Sequence, residues 1–298
     1  MQRRPERFEV QAQAFDRRAG VGPEVGGAVA RAVAERVPPG GVVLEIGAGT
    51  GEIGRHLADL PVRYLGLDDA RAMLEVFASK LGPAPGPAEG SVQLVQADAE
   101  RRWPVRDGSV AVVLASRVAH LLEPGHLVQE LHRVCRPEAS FLVGRVRRDA
   151  ESVKSRLRRQ RERILRARGV APEGGAEATR RLLEGMVAAG ATELEGREVA
   201  AWTVRSSAEE VLIGWEAVTA MGGTELAAPT RAEVLDELRE WALHHIGDLG
   251  QPFDSTEHYT LAGVRLGAHH RPAATGGTPE PVALPADAYL ESRWTIPC

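Results

Sequence analysis

The sequence predicts an α/β fold built on a doubly wound, mostly parallel sheet. Short apolar segments rich in β-branched residues alternate with segments of helical periodicity between residues 24 and 146. A glycine-rich turn, Gly47–Gly51, follows the first of these predicted strands. Strands that alternate with helices pair in parallel through right-handed crossovers. Ligands of such sheets bind beyond the carboxyl ends of the strands.

The first half of the chain supplies most of the predicted sheet. Apolar, β-branched runs indicate strands, and apolar residues three or four positions apart indicate helices. The predicted strands span 41–46, 62–67, 92–96, 110–115 and 140–146. The predicted helices span 24–36, 53–60, 70–81 and 125–135, and residues 82–90 form a loop rich in proline and glycine.

The pattern becomes mainly helical after residue 146. A strongly basic helix at 150–168 precedes helices at 176–189, 207–220 and 231–246. The segment 192–205 contains a strand signal at 198–204, and a last strand is predicted at 258–266. We therefore expect four regions. Residues 1–40 are expected to form the first helix and an N-terminal lid that includes Phe15 and Asp16, and residues 41–146 the Rossmann-like core. Residues 147–268 are expected to form a helical cap and the last two strands, and residues 269–298 a poorly ordered tail.

Composition and charge exclude several classes of protein. The net charge of −4 gives no overall attraction to nucleic acid or to an anionic membrane. No segment has the apolar length of a membrane span, and the charged N-terminus does not resemble a secretory signal. Cys135 and Cys298 are too few for a disulfide framework. Cys135 is expected at the end of a helix as a buried apolar residue, and the cytoplasm is the expected location.

The turn after the first strand is the strongest local signal of a binding site. Glycines there allow a tight turn and close approach of a ligand to the backbone, and the next helix offers free N–H groups. Gly49–Gly54 matches the dinucleotide pattern G-x-G-x-x-G, which is weak evidence alone. Counted from Gly47, however, the third glycine position is Glu52, and a glutamate there is expected to obstruct helix–strand packing. This register disfavours a nicotinamide-dependent oxidoreductase.

Acidic residues lie at the ends of three successive predicted strands. Glu45 precedes the glycine turn, Asp68 ends the second strand and Asp98 follows the third. Asp68 has the spacing from the turn at which a carboxylate reaches a ribose, and Asp98 is a candidate to accept a hydrogen bond from an adenine amino group. Helix capping is the alternative role for both aspartates. Together the acids suggest an adenosine with a cationic appendage.

Several motifs in this region resemble those of one enzyme family. Glu45–Gly51 matches the first motif of the class I S-adenosylmethionine-dependent methyltransferases, and the chain is most similar to their small-molecule branch, which includes the quinone-biosynthesis methyltransferases. The second, third and fifth-strand motifs correspond to Gly66–Leu74, Gln96–Glu100 and Arg133–Pro137. The sequence departs from the family at Ala70, where serine is usual, at Ala111, where aspartate is usual, and at Glu138-Ala139, where glycines are usual.

The resemblance implies a seven-stranded sheet whose last strand is antiparallel, and it implies S-adenosylmethionine as cofactor, with S-adenosylhomocysteine as product. Glu45, Gly47 and Gly49 would hold the methionine part, Asp68 the ribose, and Asp98 and Ala99 the adenine. Asp69 and Met73 would pack around the adenosine. The other predicted cofactor-binding residues are Ile46, Ala48, Thr50, Gly51 and Ser116, and no metal is expected.

The function implied is transfer of a methyl group to a small-molecule acceptor by in-line displacement. His120, at the same edge of the sheet as Ser116, is a candidate general base, and a packed structural histidine is the alternative. Two other functions remain open: a non-catalytic S-adenosylmethionine-binding protein, and an RNA methyltransferase that uses the basic helix. Neither a membrane nor a nucleic acid is the expected partner.

Overall fold

A computed structural model describes residues 20–81, 92–170, 175–216, 220–221 and 224–267. The described strands are β1 Val42–Ile46, β2 Arg63–Asp68, β3 Val92–Gln96, β4 Val110–Ser116, β5 Cys135–Arg148, β6 Thr192–Ser206, β7 Ala220–Met221, β8 Thr224–Glu225 and β9 Phe253–Arg265. The described helices are α1 Pro23–Ala34, α2 Gly54–Ala58, α3 Arg71–Lys80, α4 Pro124–Val134, α5 Val153–Ala167, α6 Gly175–Ala188, α7 Ala208–Glu216 and α8 Ala228–His245. The predicted lid residues Phe15 and Asp16, the loop at 82–90 and the tail at 269–298 lie outside the described residues.

Seven strands form one sheet in the order β3-β2-β1-β4-β5-β9-β6. The pairs β1–β2, β1–β4, β2–β3 and β4–β5 are parallel. Strand β9 runs antiparallel to β5, because the Leu266 N–H donates to the Ala139 carbonyl whereas the Thr260 hydroxyl donates to the Arg145 carbonyl. The doubly wound fold, its seven strands and its antiparallel last strand are therefore confirmed. The winding reverses between β1 and β4, where such sheets bind ligands.

The central strand β4 is apolar on both faces of the sheet. In β4, every residue from Val110 to Ala115 is buried, as expected of a strand covered by helices on both sides. Helix α4 covers part of this sheet with Leu127, Leu131 and Val134. Its N-terminus is capped by the Glu123 carboxylate, which accepts hydrogen bonds from two backbone N–H groups.

Strand β4 contains the departure from the family pattern at Ala111. The pairing of β4 with β1 and with β5 skips from Val110 to Val112, so Ala111 lies in an irregularity of the sheet. Ala111 is 2% exposed, and its methyl group packs beside Gly41. An aspartate at this place would be a buried charge, which costs free energy unless it is paired.

Two local predictions were wrong. Cys135 was expected to end a helix, but it is the first residue of β5, which begins five residues before the predicted start of that strand. The reason is Pro137, which disfavours helical backbone at Arg136 and ends α4 at Val134. Burial raises the pKa of the Cys135 thiol to about 12. The helix predicted at 207–220 ends at Glu216, and β7 and β8 then pair in an antiparallel hairpin.

The chain divides into two compact units. The first contains the described parts of 1–145, 179–200 and 259–298, and the second contains the described parts of 146–178 and 201–258. In the second unit, α5, α7 and α8 enclose a separate apolar core that includes Val153, Leu157 and Ile164. These three residues belong to α5, which corresponds to the predicted basic helix. No helix among the described residues is both long enough and apolar enough to cross a membrane.

We predict that the contact between β5 and β9 requires a glycine at position 263. A Cβ atom on Gly263 would lie 2.1 Å from the Phe141 carbonyl oxygen, so Gly263→Ala forces the backbone to move. Overpacking of this kind costs about 1–3 kcal/mol. Gly185→Ala is the control, because a Cβ there meets no atom within 4 Å and alanine in a helix is more stable by about 0.5–1 kcal/mol. Thermal unfolding should show opposite shifts, and equal shifts would contradict this packing.

Candidate functional site

A cavity of about 320 Å³ lies in the first unit, at the carboxyl ends of β1, β2, β3 and β4. Its wall contains all but two of the predicted cofactor-binding residues. Those in the wall are Glu45, Gly47, Ala48, Gly49, Thr50, Asp68, Asp69, Met73, Asp98, Ala99 and Ser116. The fold thus brings together residues that are up to 71 positions apart in the chain, from Glu45 to Ser116. Their roles toward a cofactor remain predictions.

Three predicted site residues lie outside the cavity wall. Ile46 is fully buried in the main core. Gly51 packs against the Phe77 ring, where a Cβ would lie 2.1 Å from the nearest ring atom. His120 is exposed in the short 3-10 helix Ala119–Leu121, whereas the next residues, Leu121 and Leu122, do line the cavity. The role of His120 as a general base therefore stays a prediction.

The turn between β1 and α2 is held from two sides. The Gly49 N–H donates to Asp68 Oδ2 over 2.8 Å, and Lys80 Nζ donates to the Thr50 carbonyl over 2.8 Å. Gly49 adopts a φ of +54°, which favours glycine, and a Cβ there would meet only the Gly47 carbonyl oxygen, at 3.9 Å. The turn is fixed in shape and leaves open space above Gly49.

The close contact between α2 and the sheet shows which glycine the packing of helix on strand requires. A Cβ on Gly54 would lie 2.3 Å from the Tyr64 hydroxyl oxygen, so Gly54 is the glycine that helix–strand packing requires. Glu52 does not obstruct that packing, because its side chain lines the cavity and pairs with Arg117. The prediction that Glu52 obstructs helix–strand packing was therefore wrong. What disfavours a dinucleotide is instead the charge of the cavity wall.

The cavity wall is strongly acidic. It contains six carboxylate residues, namely Glu45, Glu52, Asp68, Asp69, Asp98 and Glu100. Arg117 is the one lysine or arginine among the described residues of the wall, and its guanidinium lies 2.6 Å from Glu52 Oε2. A concave surface with this excess of negative charge favours cationic ligands. It disfavours the pyrophosphate of a dinucleotide.

Glu45 is the most perturbed acid of the site. It is 2% exposed, and its Oε2 accepts a hydrogen bond from the Tyr64 hydroxyl over 2.6 Å. Burial raises the pKa of Glu45 from 4.5 to about 8, with further increases from Asp68 and Glu52, while the Tyr64 bond and Arg117 lower it. A buried carboxyl with no nearby unpaired cation favours its neutral form.

The contributions of Tyr64, Arg117 and Glu52 to the site were not predicted from the sequence. Tyr64 lies within an otherwise apolar strand, and a buried tyrosine hydroxyl usually has a hydrogen-bond partner, which was an available signal. Glu52 accepts a second hydrogen bond, from the Val21 N–H over 3.0 Å, and so connects the segment before α1 to Arg117. Arg117 has a φ of +59°, a local conformation that the sequence does not reveal.

The segment after β3 is fixed by a partly buried polar network. Asp98 Oδ1 accepts the Glu100 N–H, so Asp98 both caps this turn and lines the cavity. The Trp103 indole N–H donates to the Ala99 carbonyl over 3.0 Å, and the Trp103 backbone N–H donates to Glu130. Arg133 pairs with Glu130 and Asp107 and is 12% exposed. This network positions Asp98 and Ala99 at the cavity.

The end of β4 is held by a buried tyrosine from the last strand. The hydroxyl groups of Ser116 and Tyr259 lie 2.6 Å apart, and Ser116 lines the cavity. Burial raises the pKa of Tyr259 well above its ordinary value, so this hydroxyl stays protonated at neutral pH. It is placed to orient Ser116.

The region that contains this cavity is similar to known methyltransferases. Residues 44–143 match the family described as the methyltransferase domain. Over 102 residues the chain is 34% identical to an uncharacterized methyltransferase of Mycobacterium leprae strain Br4923, and this alignment covers 34% of the chain and 35% of that relative. The chain therefore spans about a third of the length of the curated relative it matches.

Solved structures of the same fold extend the similarity. A protein described as a type II methyltransferase, from Anaeromyxobacter dehalogenans, has a TM-score of 0.54 and 24% identity, covering 82% of this chain and 97% of its own. The cyclase SpnF has a TM-score of 0.53 and 18% identity, covering 89% of this chain and 96% of its own. At these identities the structures establish the fold. The comparisons thus show a methyltransferase domain at residues 44–143 and a fold shared with these structures.

The buried acid gives a prediction about stability and pH. Because the pKa of Glu45 is raised from 4.5 to about 8 on folding, its contribution to stability is complete below pH 4.5 and is lost as the pH rises through about 8. Glu45→Gln removes this loss and keeps an acceptor for Tyr64. The stability of the variant relative to the native protein should increase by about 2.5 kcal/mol from pH 6 to pH 8.5.

Urea unfolding of the ligand-free protein at both pH values measures this difference. Glu75→Gln is the matched control, since Glu75 is 56% exposed and pairs with Arg71 one helical turn away. The control should show no such dependence. A pH-independent difference between Glu45→Gln and the native protein would contradict the raised pKa.

Proposed function

We propose that this protein is an S-adenosylmethionine-dependent methyltransferase that transfers the sulfonium methyl group to a small-molecule acceptor. The observation that carries the proposal is the acidic cavity at the carboxyl ends of β1 to β4, with an open glycine turn in its wall. Its position is the ligand-binding edge of a doubly wound sheet. Its charge suits a ligand with a sulfonium and an ammonium group.

The residues of the wall fit the parts of this cofactor. A carboxylate can accept several hydrogen bonds, so Asp68 is able to hold the turn and to receive ribose hydroxyls. Asp98 and Ala99, which line the cavity, would hold the adenine, and Glu45 and the glycine turn would hold the methionine part. The absence of a Cβ on Gly49 leaves room for close approach. When bound, the cofactor supplies a methyl group on a sulfonium, which is a good leaving group.

The protein's own contribution to the reaction is mainly positioning. Holding two reactants in line supplies about 7–11 kcal/mol of a barrier, and the fixed turn and the Trp103 network are suited to hold one of them. Leu121 and Leu122 give the cavity an apolar wall beyond β4, which excludes water from an acceptor there. An acceptor that must lose a proton needs a base, and His120 remains the proposed one.

The charged groups of α5 do not favour an RNA substrate. Several arginines in and beside this helix are paired within the second unit. These pairs are Arg158–Glu162, Arg159–Glu151, Arg166–Glu162 and Arg168–Glu237. Non-catalytic binding of the cofactor is the remaining alternative, and the similarity to a protein named as a cyclase shows that fold alone does not define the reaction.

A thermal-shift experiment tests the cofactor. S-adenosylmethionine and S-adenosylhomocysteine should each stabilise the protein, by about 2.7 kcal/mol at a hundred times the dissociation constant. NAD and NADP should not. Asp68→Ala should abolish the shift, because it removes both the expected ribose contact and the bond to the Gly49 N–H. Asp236→Ala, an equivalent change at an exposed site on α8, should retain it.

Transfer of the methyl group is tested separately with the isotope-labelled cofactor. Incubation with a small-molecule extract and with total RNA should place the label in low-mass products. Label in RNA would favour the RNA methyltransferase, and a thermal shift without any transfer would favour the non-catalytic protein. A shift with NAD or NADP alone would contradict the methyltransferase proposal.

A further inference from the structure

We infer that Glu45 carries a proton in the ligand-free protein and releases it to solvent when the cationic end of the cofactor binds. Cofactor affinity therefore increases with pH, and the site selects ligands that carry a positive charge at this end. The inference rests on the proposed function, from which it takes S-adenosylmethionine and its product as the ligands. It assigns to Glu45 and Tyr64 a proton-linked role in binding.

The geometry around Glu45 favours the neutral carboxyl. The residue lies next to the end of β1 and is almost fully buried, yet its side chain reaches the wall of the cavity. Its polar contact is with the hydroxyl of Tyr64 on the neighbouring strand β2, at 2.6 Å. Water has little access to this carboxyl, so its charge would be poorly solvated in the absence of a cation.

The acidic groups that face Glu45 from the surrounding elements act in the same direction as burial. Asp68 at the end of β2 and Glu52 before α2 are both acidic and raise the pKa of Glu45, in addition to the larger effect of burial. Arg117, after β4, opposes them, but its guanidinium is 2.6 Å from Glu52. The positive charge closest to the site is therefore already engaged by another carboxylate.

Tyr64 tunes this proton equilibrium without binding the ligand. Its own pKa is raised well above the ordinary value by burial and by Glu45, so the hydroxyl is a donor at neutral pH. A bond donated to a carboxylate stabilises the charged form, and it lowers the pKa of Glu45. Tyr64 is thus a positioning residue that keeps the proton of Glu45 removable near neutral pH.

A bound ammonium or sulfonium group makes the charged form of Glu45 more stable than the neutral form. The O–H bond of the carboxyl breaks, its proton passes to solvent, and the carboxylate forms a charge-assisted contact with the cation. The ammonium brings one positive charge to Glu45 and one proton leaves, so the pair of Glu45 and the ammonium is neutral, as the protonated carboxyl was before binding. A neutral analogue that lacks the ammonium and sulfonium groups gives no such exchange.

Calorimetric titration in buffers of different ionisation enthalpy measures the protons released. With S-adenosylhomocysteine at pH 7, the native protein should release about 0.9 proton per ligand, as a group with a pKa of about 8 requires. The dissociation constant should fall about tenfold between pH 6 and pH 7. With 5′-methylthioadenosine, which shares the adenosine but lacks the amino acid, binding should release no proton.

Two variants assign the proton to its residue. Glu45→Gln should bind S-adenosylhomocysteine without proton release and with no dependence on pH from 6 to 7. Tyr64→Phe keeps the ring that packs edge-on against Phe77 but removes the bond that lowers the pKa of Glu45. Its pH dependence should therefore shift to higher pH. Glu75→Gln should behave as the native protein.

The outcomes separate this inference from the proposed function. Tight binding of S-adenosylhomocysteine without proton release by the native protein would overturn the inference and leave the cofactor assignment intact. Equal proton release with 5′-methylthioadenosine would also overturn it, since the proton would come from elsewhere. Failure to bind S-adenosylhomocysteine at any pH would contradict the proposed function itself. The comparison of the two ligands needs only the native protein, so it stands if a variant does not fold.

Discussion

The candidate site depends on one carboxylate that joins two turns. Asp68 accepts the Gly49 N–H with one oxygen and the Ala70 N–H with the other, at 2.8 and 3.0 Å. Because β1 and β2 are parallel, with Ile46 opposite Leu67, the turns that follow these strands emerge side by side. The bonds to Asp68 then fix the glycine turn relative to the end of β2. The shape of the cavity follows from this junction.

The same arrangement concentrates negative charge. Asp68 and Glu52 both disfavour ionisation of Glu45, and burial disfavours it further. A group of acids in a concave, partly buried site costs stability, and a cationic ligand offsets that cost when it binds. Charge therefore links stability of the ligand-free protein, ligand selectivity and pH dependence through one cluster of residues.

The sequence was sufficient to predict the elements that depend on local pattern. The glycine turn, Asp68 and Asp98 could be placed because parallel strands bring their carboxyl ends to one edge of a sheet. The start of β5 at Cys135 was missed because Pro137 ends the helical pattern before it. The pairing of β7 with β8 was missed because each strand has only two residues. Tyr64, Gly54 and Arg117 were missed for a different reason, since their roles arise from contacts between segments distant in the chain.

The acidic cavity is proposed to receive an adenosyl ligand with a cationic end. Nuclear magnetic resonance of the ¹⁵N-labelled protein, titrated with S-adenosylhomocysteine, shows which backbone amides the ligand contacts. We expect the largest amide shifts at Gly47 to Gly51, at Asp68 to Ala70 and at Ala97 to Ala99. Saturating ligand that leaves these amides unchanged, or shifts centred on the second unit, would contradict this proposal.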